Sequence, residues 1–310
     1  MKPTPHILHP ASQKGLALII TLLITALLVT VIVEIVYAVH IHISMTSSYR
    51  DLQRASPLAE GGVELASMVL DDIMRGKTYT YLNEEDTDKI FAEGDKVLSL
   101  RVEDEQGKIS LNTIVYKNGE TNAEYYGAYL RLLENLKLEN GLVDAVADWI
   151  DINDEPRPFG GETYDYYQRL SLAYAAKNSQ LDSIEELLLI KDYSPMIYKR
   201  LVPFITVYTD GRININTAAK EVIMALYDDI TEDMAQRVID YRREKPFHDT
   251  AEIRKVRGFE TIGFGLQGKI TVQSKIFRIF SKVDIGGTIR EVEAVVQTGQ
   301  NFKTLYWRER

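Results

Sequence analysis

The sequence predicts an α+β protein with one long N-terminal helix, a repeated helical region and a small antiparallel sheet. An apolar stretch near the N-terminus continues into an amphipathic helical pattern that ends near residue 74. A plan of turn, short strand and helix occurs twice between residues 107 and 259. Near the C-terminus, residues 277–282 and 291–297 alternate around residues 284–288, as the two strands of a β-hairpin do.

The composition is that of a globular chain with few options for catalysis. The 310 residues are 45% hydrophobic and 26% charged, a length that suits two domains or one elaborated domain. The absence of Cys excludes disulfides, thiolate zinc sites, iron–sulfur ligation and a cysteine nucleophile. Four of the five His precede residue 43, so only His248 is available to a folded domain, which disfavours a His triad or a multi-His metal site. The formal net charge of −9 disfavours binding to phosphate backbones.

The first element is an apolar segment that is long enough to cross a membrane. Residues 16–33 contain no charge, Glu34 interrupts the segment, and residues 35–39 resume it. As a helix, residues 16–39 span roughly 36 Å, which predicts a transmembrane helix. The apolar core is too long for a cleaved secretory signal. Two interpretations stay open for this segment: a plain signal anchor, or a pilin-like leader that is cut between Gly15 and Leu16.

The amphipathic half of the helix follows directly. Its apolar residues recur at three- and four-residue steps and form one stripe, which consists of Leu52, Ala55, Ala59, Val63, Ala66, Val69, Leu70 and Ile73. We expect this stripe to pack on the protein's own sheet and to be wide enough to contact a neighbouring subunit as well. Pro57 has no backbone N–H, which predicts a kink near residues 53–57.

The middle of the chain contains a tandem repeat. Residues 107–113 and 211–217 share the pattern Gly, base, Ile, small polar, apolar, Asn, Thr at an offset of 104 residues. Residues 186–193 match residues 252–259 at an offset of 66, so the first copy carries about 38 extra residues. The second copy is similar to helix-hairpin-helix modules. Its hairpin, residues 227–233, has four acids and no Gly, and would repel a phosphate, so we expect no nucleic-acid binding.

The extra residues of the first copy form an acidic loop that is rich in Pro and Gly. Seven acids and two Arg lie between residues 144 and 169. Oxygen ligands at alternating positions suit calcium, although Pro156 stands where an EF-hand loop that starts at Asp151 has its Gly. The candidate metal ligands are Asp151, Asn153, Asp154, Glu155, Glu162 and Asp165. The alternative is that these acids are helix caps and solvated turn residues. A catalytic carboxylate pair has no further support, since the chain contains no GxSxG, P-loop or GxGxxG motif.

These features together resemble the general secretion pathway protein K family, the K-type minor pseudopilins of the type II secretion system. The resemblance extends from Lys14 to about Val296. It rests on Gly15 before an apolar helix, on Ile20 where most pilins have Glu, on Gly107-Lys108-Ile109-Ser110-Leu111-Asn112, on Asp148-Trp149-Ile150-Asp151, on Gly160-Gly161-Glu162, on Tyr166-Tyr167, on residues 181–187 and on Asn214-Ile215-Asn216-Thr217-Ala218. The family tends to have an acid after that Glu, whereas this chain has Thr163, so one ligand of the family pattern is absent.

The resemblance implies a pilin-like fold into which a large all-α domain of two SAM-like, helix-hairpin-helix-like repeats is inserted. The expected division is a prepilin leader at 1–15, the transmembrane helix at 16–39, a pilin-like α/β part at 40–112, a first helical repeat with the acidic loop at 113–208, a second helical repeat at 209–270, and C-terminal strands that complete the pilin sheet at 271–310.

The resemblance also implies a structural, non-enzymatic role. A prepilin peptidase would cut between Gly15 and Leu16, the new N-terminus would be methylated, and the helix would stay in the inner membrane with the bulk of the chain in the periplasm. The expected partners are the I-type and J-type minor pseudopilins and the major pseudopilin, at the tip of a filament that the protein helps to initiate for the export of folded proteins. Calcium is the expected cofactor. The alternatives are a pilin-like component of a type IV pilus or another envelope machine, or a membrane-anchored helix-hairpin-helix protein that binds nucleic acid.

Overall fold

One helix forms most of the N-terminal part of the protein. In the computed structural model, which describes residues 13–153, 155–160, 164–299 and 302–310, helix α1 extends over Gln13–Met74 without a break. Its most apolar 18-residue window has a mean hydropathy of 3.0, and none of that window is buried. The helix is therefore long and apolar enough to cross a membrane. It stays continuous through Pro57, whose ring lies on an exposed face.

The remaining elements alternate between short helices and strands. The α-helices are α1 (Gln13–Met74), α2 (Glu84–Thr87), α3 (Ala123–Asn135), α4 (Gly141–Ile150), α5 (Tyr164–Gln168), α6 (Pro195–Leu201), α7 (Lys220–Ala225), α8 (Glu232–Glu244) and α9 (Ile262–Gly265). The 3-10 helices are Glu105–Gly107, Leu111–Thr113, Ile184–Leu189 and Thr250–Lys255. The strands are β1 (Asp88–Glu93), β2 (Lys96–Asp104), β3 (Ile109–Ser110), β4 (Ile205–Thr206), β5 (Ile213–Asn214), β6 (Ile270–Thr271), β7 (Ile276–Ile285), β8 (Thr288–Gln297) and β9 (Lys303–Glu309).

Five strands form one antiparallel sheet in the order β1-β2-β7-β8-β9. Strands β2 and β7 are neighbours, so the chain leaves the sheet after Asp104, forms residues 105–275 and returns beside the strand it left. We call residues 105–275 the insert. The predicted C-terminal hairpin is confirmed and is longer than expected, because it turns only at Gly286 and Gly287, whose φ angles of 55° and 88° suit Gly.

The stripe on α1 packs on this sheet, as predicted. Its most deeply buried members are Ala55, Ala59, Val63, Ala66 and Leu70. They share one core with apolar residues of β2, β7 and β8. Small residues let the helix approach closely: a Cβ at Gly62 would lie 2.1 Å from Ser281 Oγ and 3.0 Å from Leu100.

The insert consists of two copies of one plan, as the sequence predicts. In the first copy β3 pairs in parallel with β4, which places Ile109 opposite Ile205. In the second copy β5 pairs in parallel with β6, which places Ile213 opposite Ile270. Buried side chains of both copies belong to a single hydrophobic core that is separate from the core under α1.

An Asn in each repeat motif closes its copy in the same way. The side chain of Asn112 accepts the backbone N–H of Leu181 at 2.8 Å and donates to its carbonyl at 2.9 Å. Asn216 makes the same pair of bonds with Phe247, at 2.8 and 2.9 Å. Leu181 and Phe247 lie 66 residues apart in the chain, which is the offset found in the sequence. The motif uses Asn because its amide donates and accepts at once.

The end of β2 is tied to the insert through a buried carboxylate. Asp104 accepts hydrogen bonds from the hydroxyls of Ser274 at 2.5 Å and Thr217 at 2.6 Å, and from the amide of Asn214 at 3.1 Å. Burial raises the pKa of this carboxyl, although all three bonds oppose the shift. The outgoing and returning chain segments are thereby held to the second repeat.

Side-chain contacts set the element boundaries in the insert. Helix α7 begins at Lys220, after the repeat motif, because the Asn216 side chain holds the loop to Phe247 before the helix starts. The segments that match each other near residues 186 and 253 are 3-10 helices. Both are single short turns, in which i→i+3 hydrogen bonds are common.

Candidate functional site

The predicted processing site lies near the beginning of α1. Gly15 and Leu16 are both helical, and Leu16 is 61% exposed. No heavy atom lies within 4 Å of the position that a Cβ on Gly15 would take. None of the residues that the structure describes therefore covers this bond.

The acidic loop begins on one face of α4. Asp144, Asp148 and Asp151 follow one another at steps of four and three residues, so their carboxylates lie on the same side of the helix. All three are at most 6% exposed. Asp151 caps the C-terminus of α4, where the helix dipole disfavours negative charge. Three buried carboxylates on this helix face therefore require a positive charge beside them.

Arg157 from the loop supplies this positive charge. Its Nη1 donates to Asp148 Oδ1 at 2.6 Å and to Asp151 Oδ2 at 2.5 Å, and its backbone N–H donates to Asp148 Oδ2 at 3.0 Å. Its Nη2 donates to the hydroxyl of Thr121 at 3.1 Å. These bonds between Arg157 and the two acids hold the start of the loop against α4.

The next turn of the loop is held by the same helix face. Asp144 accepts the hydroxyl of Tyr126 and the backbone N–H of Phe159, the latter at 3.3 Å. A Cβ at Gly160 would lie 2.1 Å from Asp148 Oδ2, so only Gly allows this close approach.

One carboxylate oxygen of this cluster has no hydrogen-bond partner among the described residues. Burial raises the pKa of Asp151 even though the hydrogen bond and charge of Arg157 oppose the shift, and the pKa of Asp148 is raised for the same reason. Asp151 Oδ1 is buried and accepts no hydrogen bond from any residue the structure describes. Leaving a buried acceptor unmet is costly, so this atom fits the position of a cation ligand.

The structure places three of the six predicted metal ligands. Asp151 is buried beside Arg157, whereas Asn153 and Glu155 are exposed and are joined by a bond from the Glu155 N–H to Asn153 Oδ1 at 2.8 Å. The others, Asp154, Glu162 and the side chain of Asp165, lie outside the described residues. Within residues 13–153, 155–160, 164–299 and 302–310, no group of three or more His, Asp or Glu side chains is placed to hold a metal ion. The calcium site remains a prediction.

Aromatic side chains pack the far end of the loop against α4. The ring of Trp149 meets the edges of Tyr167 and Tyr174 at centroid distances of 5.2 and 6.2 Å. Trp149 and Tyr167 are both almost fully buried. The loop is therefore anchored at both ends, by carboxylates at its start and by these rings at its end.

The family of the chain follows from comparison with known proteins. Two family models match it, both described as Type II secretion system (T2SS), protein K, over residues 107–210 and 213–273. Together they cover more than half of the chain and almost all of the insert. The chain belongs to the type II secretion system protein K family.

Individual relatives match a larger part of the chain than the two family models do. The Type II secretion system protein K of Pseudomonas aeruginosa is 27% identical over 307 residues, which cover 94% of this chain and 90% of that protein. The protein of the same name from Aeromonas hydrophila is 28% identical over 241 residues, which cover 71% of this chain and 72% of that one. Protein K is a structural pseudopilin and belongs to no known enzyme class.

The fold is also found in a solved structure. One chain in the crystal structure of the GspK-GspI-GspJ complex from enterotoxigenic Escherichia coli matches with a TM-score of 0.72 at 17% identity. The match covers 86% of this chain and 99% of that chain. The predicted architecture of long helix, small antiparallel sheet and helical insert is confirmed.

Sequence reasoning missed Arg157, which joins the acids of α4. A usable signal was present, since Arg157 is one of only two Arg among seven acids. Asp144 and Asp148 were also left out of the predicted ligand set, although their spacing from Asp151 places all three on one helical face.

Proposed function

We propose that this protein is the minor pseudopilin at the tip of the type II secretion pseudopilus, where it helps to initiate the filament that supports export of folded proteins. The observation that carries the proposal is similarity to protein K over 94% of the chain, with the long helix and the insert both included. The insert supports the tip position, because residues 105–275 beside the sheet would clash with a subunit stacked above. Ile20 supports it too. It stands where most pilins have a Glu that pairs with the N-terminal amine of a neighbouring subunit, and a subunit at the tip would not need that contact because no subunit precedes it.

The partners in this proposal are the I-type and J-type minor pseudopilins, and below them the major pseudopilin. The chain whose fold this protein shares comes from the crystal structure of a GspK-GspI-GspJ complex. Helix α1 offers a surface for such partners, because Leu58, Leu65 and Met68 are 44%, 37% and 70% exposed. Their spacing of seven and three residues places them on one face, away from the stripe that packs on the sheet. We assign this face to the contact with the I-type and J-type subunits.

Co-purification of the three full-length minor pseudopilins in detergent tests this contact. The combined Leu65→Glu and Met68→Glu substitutions should abolish recovery of the partners, because they place charge in an apolar interface. Gln53→Glu is the matched control: it adds a negative charge at another exposed position of the same helix and should leave recovery unchanged. Equal recovery of both partners by the double variant and by the control would contradict the assignment.

Membrane insertion and processing complete the proposal. Residues 16–39 would anchor the protein by a single pass in the inner membrane, with the bulk of the chain in the periplasm. A prepilin peptidase would cut between Gly15 and Leu16, and the new amino group would be methylated. The exposure of this apolar helix and the uncovered bond at Gly15 support the proposal.

Calcium binding by the acidic loop is the last part of the proposal. Asp151 would hold the ion through its unpartnered Oδ1, and Asn153, Asp154, Glu155, Glu162 and Asp165 are the further oxygen donors that the loop offers. A bound divalent cation would offset the mutual repulsion of these carboxylates and fasten the loop. Arg157 already pairs with Asp148 and with Asp151 Oδ2, so the ion would take Asp151 Oδ1 together with oxygens that follow it in the loop.

A further inference from the structure

A cleft of about 1060 Å³ lies between the open face of the sheet and the second repeat of the insert. Strands β2 and β7 form one wall, with Arg101 and Phe280. Helix α8 forms the opposite wall, with Ile239, Arg242 and Arg243. The cleft does not involve the acidic loop or the exposed face of α1, so neither proposed role uses it.

Two cations of α8 that line the cleft, Arg242 and Arg243, have no acidic partner among the described residues. Arg242 Nη1 donates to the carbonyls of Ile215 at 2.8 Å and Ala218 at 2.7 Å. Among the described residues, no hydrogen bond occupies its Nε or Nη2, and neither Arg242 nor its exposed neighbour Arg243 forms an ion pair. A half-buried guanidinium with free donors is prepared to pair with an incoming anion.

The pKa of Arg242 agrees with the lack of an acidic partner. Burial lowers this pKa to about 10; the neighbouring Tyr81 opposes the shift, and the charge of Arg243 adds to it. Lys108, which also lines the cleft, does have acidic partners, because it contacts Glu103 at 2.9 Å and Glu105 at 2.8 Å. These acids raise the pKa of Lys108, although burial opposes the shift. Arg101 likewise lies 3.5 Å from Glu103, so Arg242 and Arg243 are the cations of the cleft that form no ion pair with a described residue.

We propose that this cleft binds an acidic, extended segment of a partner polypeptide. Carboxylates of that segment pair with Arg242 and Arg243. A planar guanidinium can donate two parallel N–H bonds to one carboxylate. Apolar residues of the segment pack on Phe280 and Ile239 across the cleft. The ligand is a polypeptide because the volume is far larger than a single small anion requires, and because the lining combines the apolar Phe280 and Ile239 with the cations of α8. The acids Asp88, Glu103 and Asp104 also line the cleft, so the acidic residues of the segment would lie on the α8 side.

The probe that tests the proposal is a fluorescein-labelled ten-residue peptide of alternating Glu and Leu, titrated with the full-length protein in detergent. Its fluorescence anisotropy should rise with protein concentration, and binding should weaken as salt is added. The same peptide with Gln for Glu should bind at least about tenfold more weakly. Because the protein has a net charge of −9, affinity for the acidic peptide requires a local site.

Substitutions on α8 locate the site. Arg243→Gln removes an exposed side chain with no described partner, so folding is not at risk, and affinity should fall about tenfold. Arg242→Lys keeps the charge, loses the fork, and should also weaken binding. Arg212→Gln is the matched control, since Arg212 is exposed, pairs with Asp210 and does not line the cleft; its affinity should not change.

Three outcomes would overturn the proposal. The first is equal binding of the Glu and Gln peptides. The second is unchanged affinity in Arg243→Gln and Arg242→Lys. The third is displacement of the peptide by inorganic phosphate at equal concentration, which would identify a site for a small anion and not for a polypeptide.

Discussion

Replacing Arg278 by Met should destabilise the protein far more than the loss of an exposed ion pair. Arg278 lies on β7 and is 1% exposed. Its Nε donates to Glu105 at 3.0 Å, and its Nη1 pairs with Glu293 on β8. Lys108 contacts Glu105 from the other side at 2.8 Å. Because Glu105 begins the insert, this cluster joins the insert to the sheet.

Two independent arguments give the size of the effect. Removing one partner of a buried ion pair costs about 3–5 kcal/mol, because the remaining charge is buried without compensation. Burial raises the pKa of Glu105, but the charges of Lys108 and Arg278 outweigh it and lower the pKa from 4.5 to about 2. A shift of that size corresponds to about 3 kcal/mol of stabilisation, part of which Lys108 provides.

Thermal unfolding of the full-length protein in detergent, followed by Trp fluorescence, measures the loss. Arg278→Met should lower Tm by about 6–10 °C, at roughly 2 °C for each kcal/mol. The control is Arg308→Met, which breaks a pair with Glu185 at 3.1 Å between side chains that are 41% and 25% exposed. That change should cost about 1 kcal/mol or less. Adding Glu293→Gln to Arg278→Met should recover part of the loss, since it removes a buried carboxylate that would be left with the half-exposed Arg310, at 3.2 Å, as its ion-pair partner.

The pH dependence provides a second readout. A lowered carboxyl pKa means that Glu105 contributes its full stabilisation above pH 4.5 and loses it as the pH falls toward 2. The wild-type Tm should therefore decrease over this interval more steeply than that of Arg278→Met. Equal losses of Tm in Arg278→Met and Arg308→Met, together with identical pH profiles of wild type and Arg278→Met, would refute this account of the cluster.

The remaining predictions concern processing, calcium and the packing of α1. Mass spectrometry of the mature protein should show a chain cut between residues 15 and 16 and one added methyl group; an uncut chain from cells with an active prepilin peptidase would exclude the leader. Calcium should raise Tm more than magnesium does, by roughly 2.7 kcal/mol of stability at 100 times its dissociation constant, and Asp151→Ala with Glu162→Ala should abolish the rise. Identical wild-type melting curves in calcium and in chelator would show that the acids form only a solvated loop. Gly62→Ala should destabilise by about 1–3 kcal/mol through crowding at the sheet, whereas Gly61→Ala, with no heavy atom within 4 Å of its Cβ position, should stabilise α1 by up to about 1 kcal/mol. The same sign for both Gly variants in urea unfolding would contradict the observed approach of α1 to the sheet.

The local elements were largely predictable because their signals are short-range. The apolar run and the stripe from Leu52 to Ile73 define α1, since helical periodicity repeats within a few residues. The repeat was visible because both copies keep the same turn and the same Asn, at residues 112 and 216, in spite of 38 extra residues. Strands β1 and β9 were not predicted, because as edge strands they lack a clear alternation of buried and exposed residues.

The amino-acid sequence by itself determined the long apolar helix, the repeated plan, the acidic loop and the resemblance to protein K, because each depends on residues that are near in the chain or recur at a fixed offset. Only the tertiary structure decided which charges meet. Arg278 contacts Glu105 across 173 positions, and Arg242 lines the cleft without an ion pair to any described residue. Spacing along a chain does not encode the Arg278 pair. It arises because strands β2 and β7 become neighbours, and a buried charge must find its partner wherever the fold brings one close.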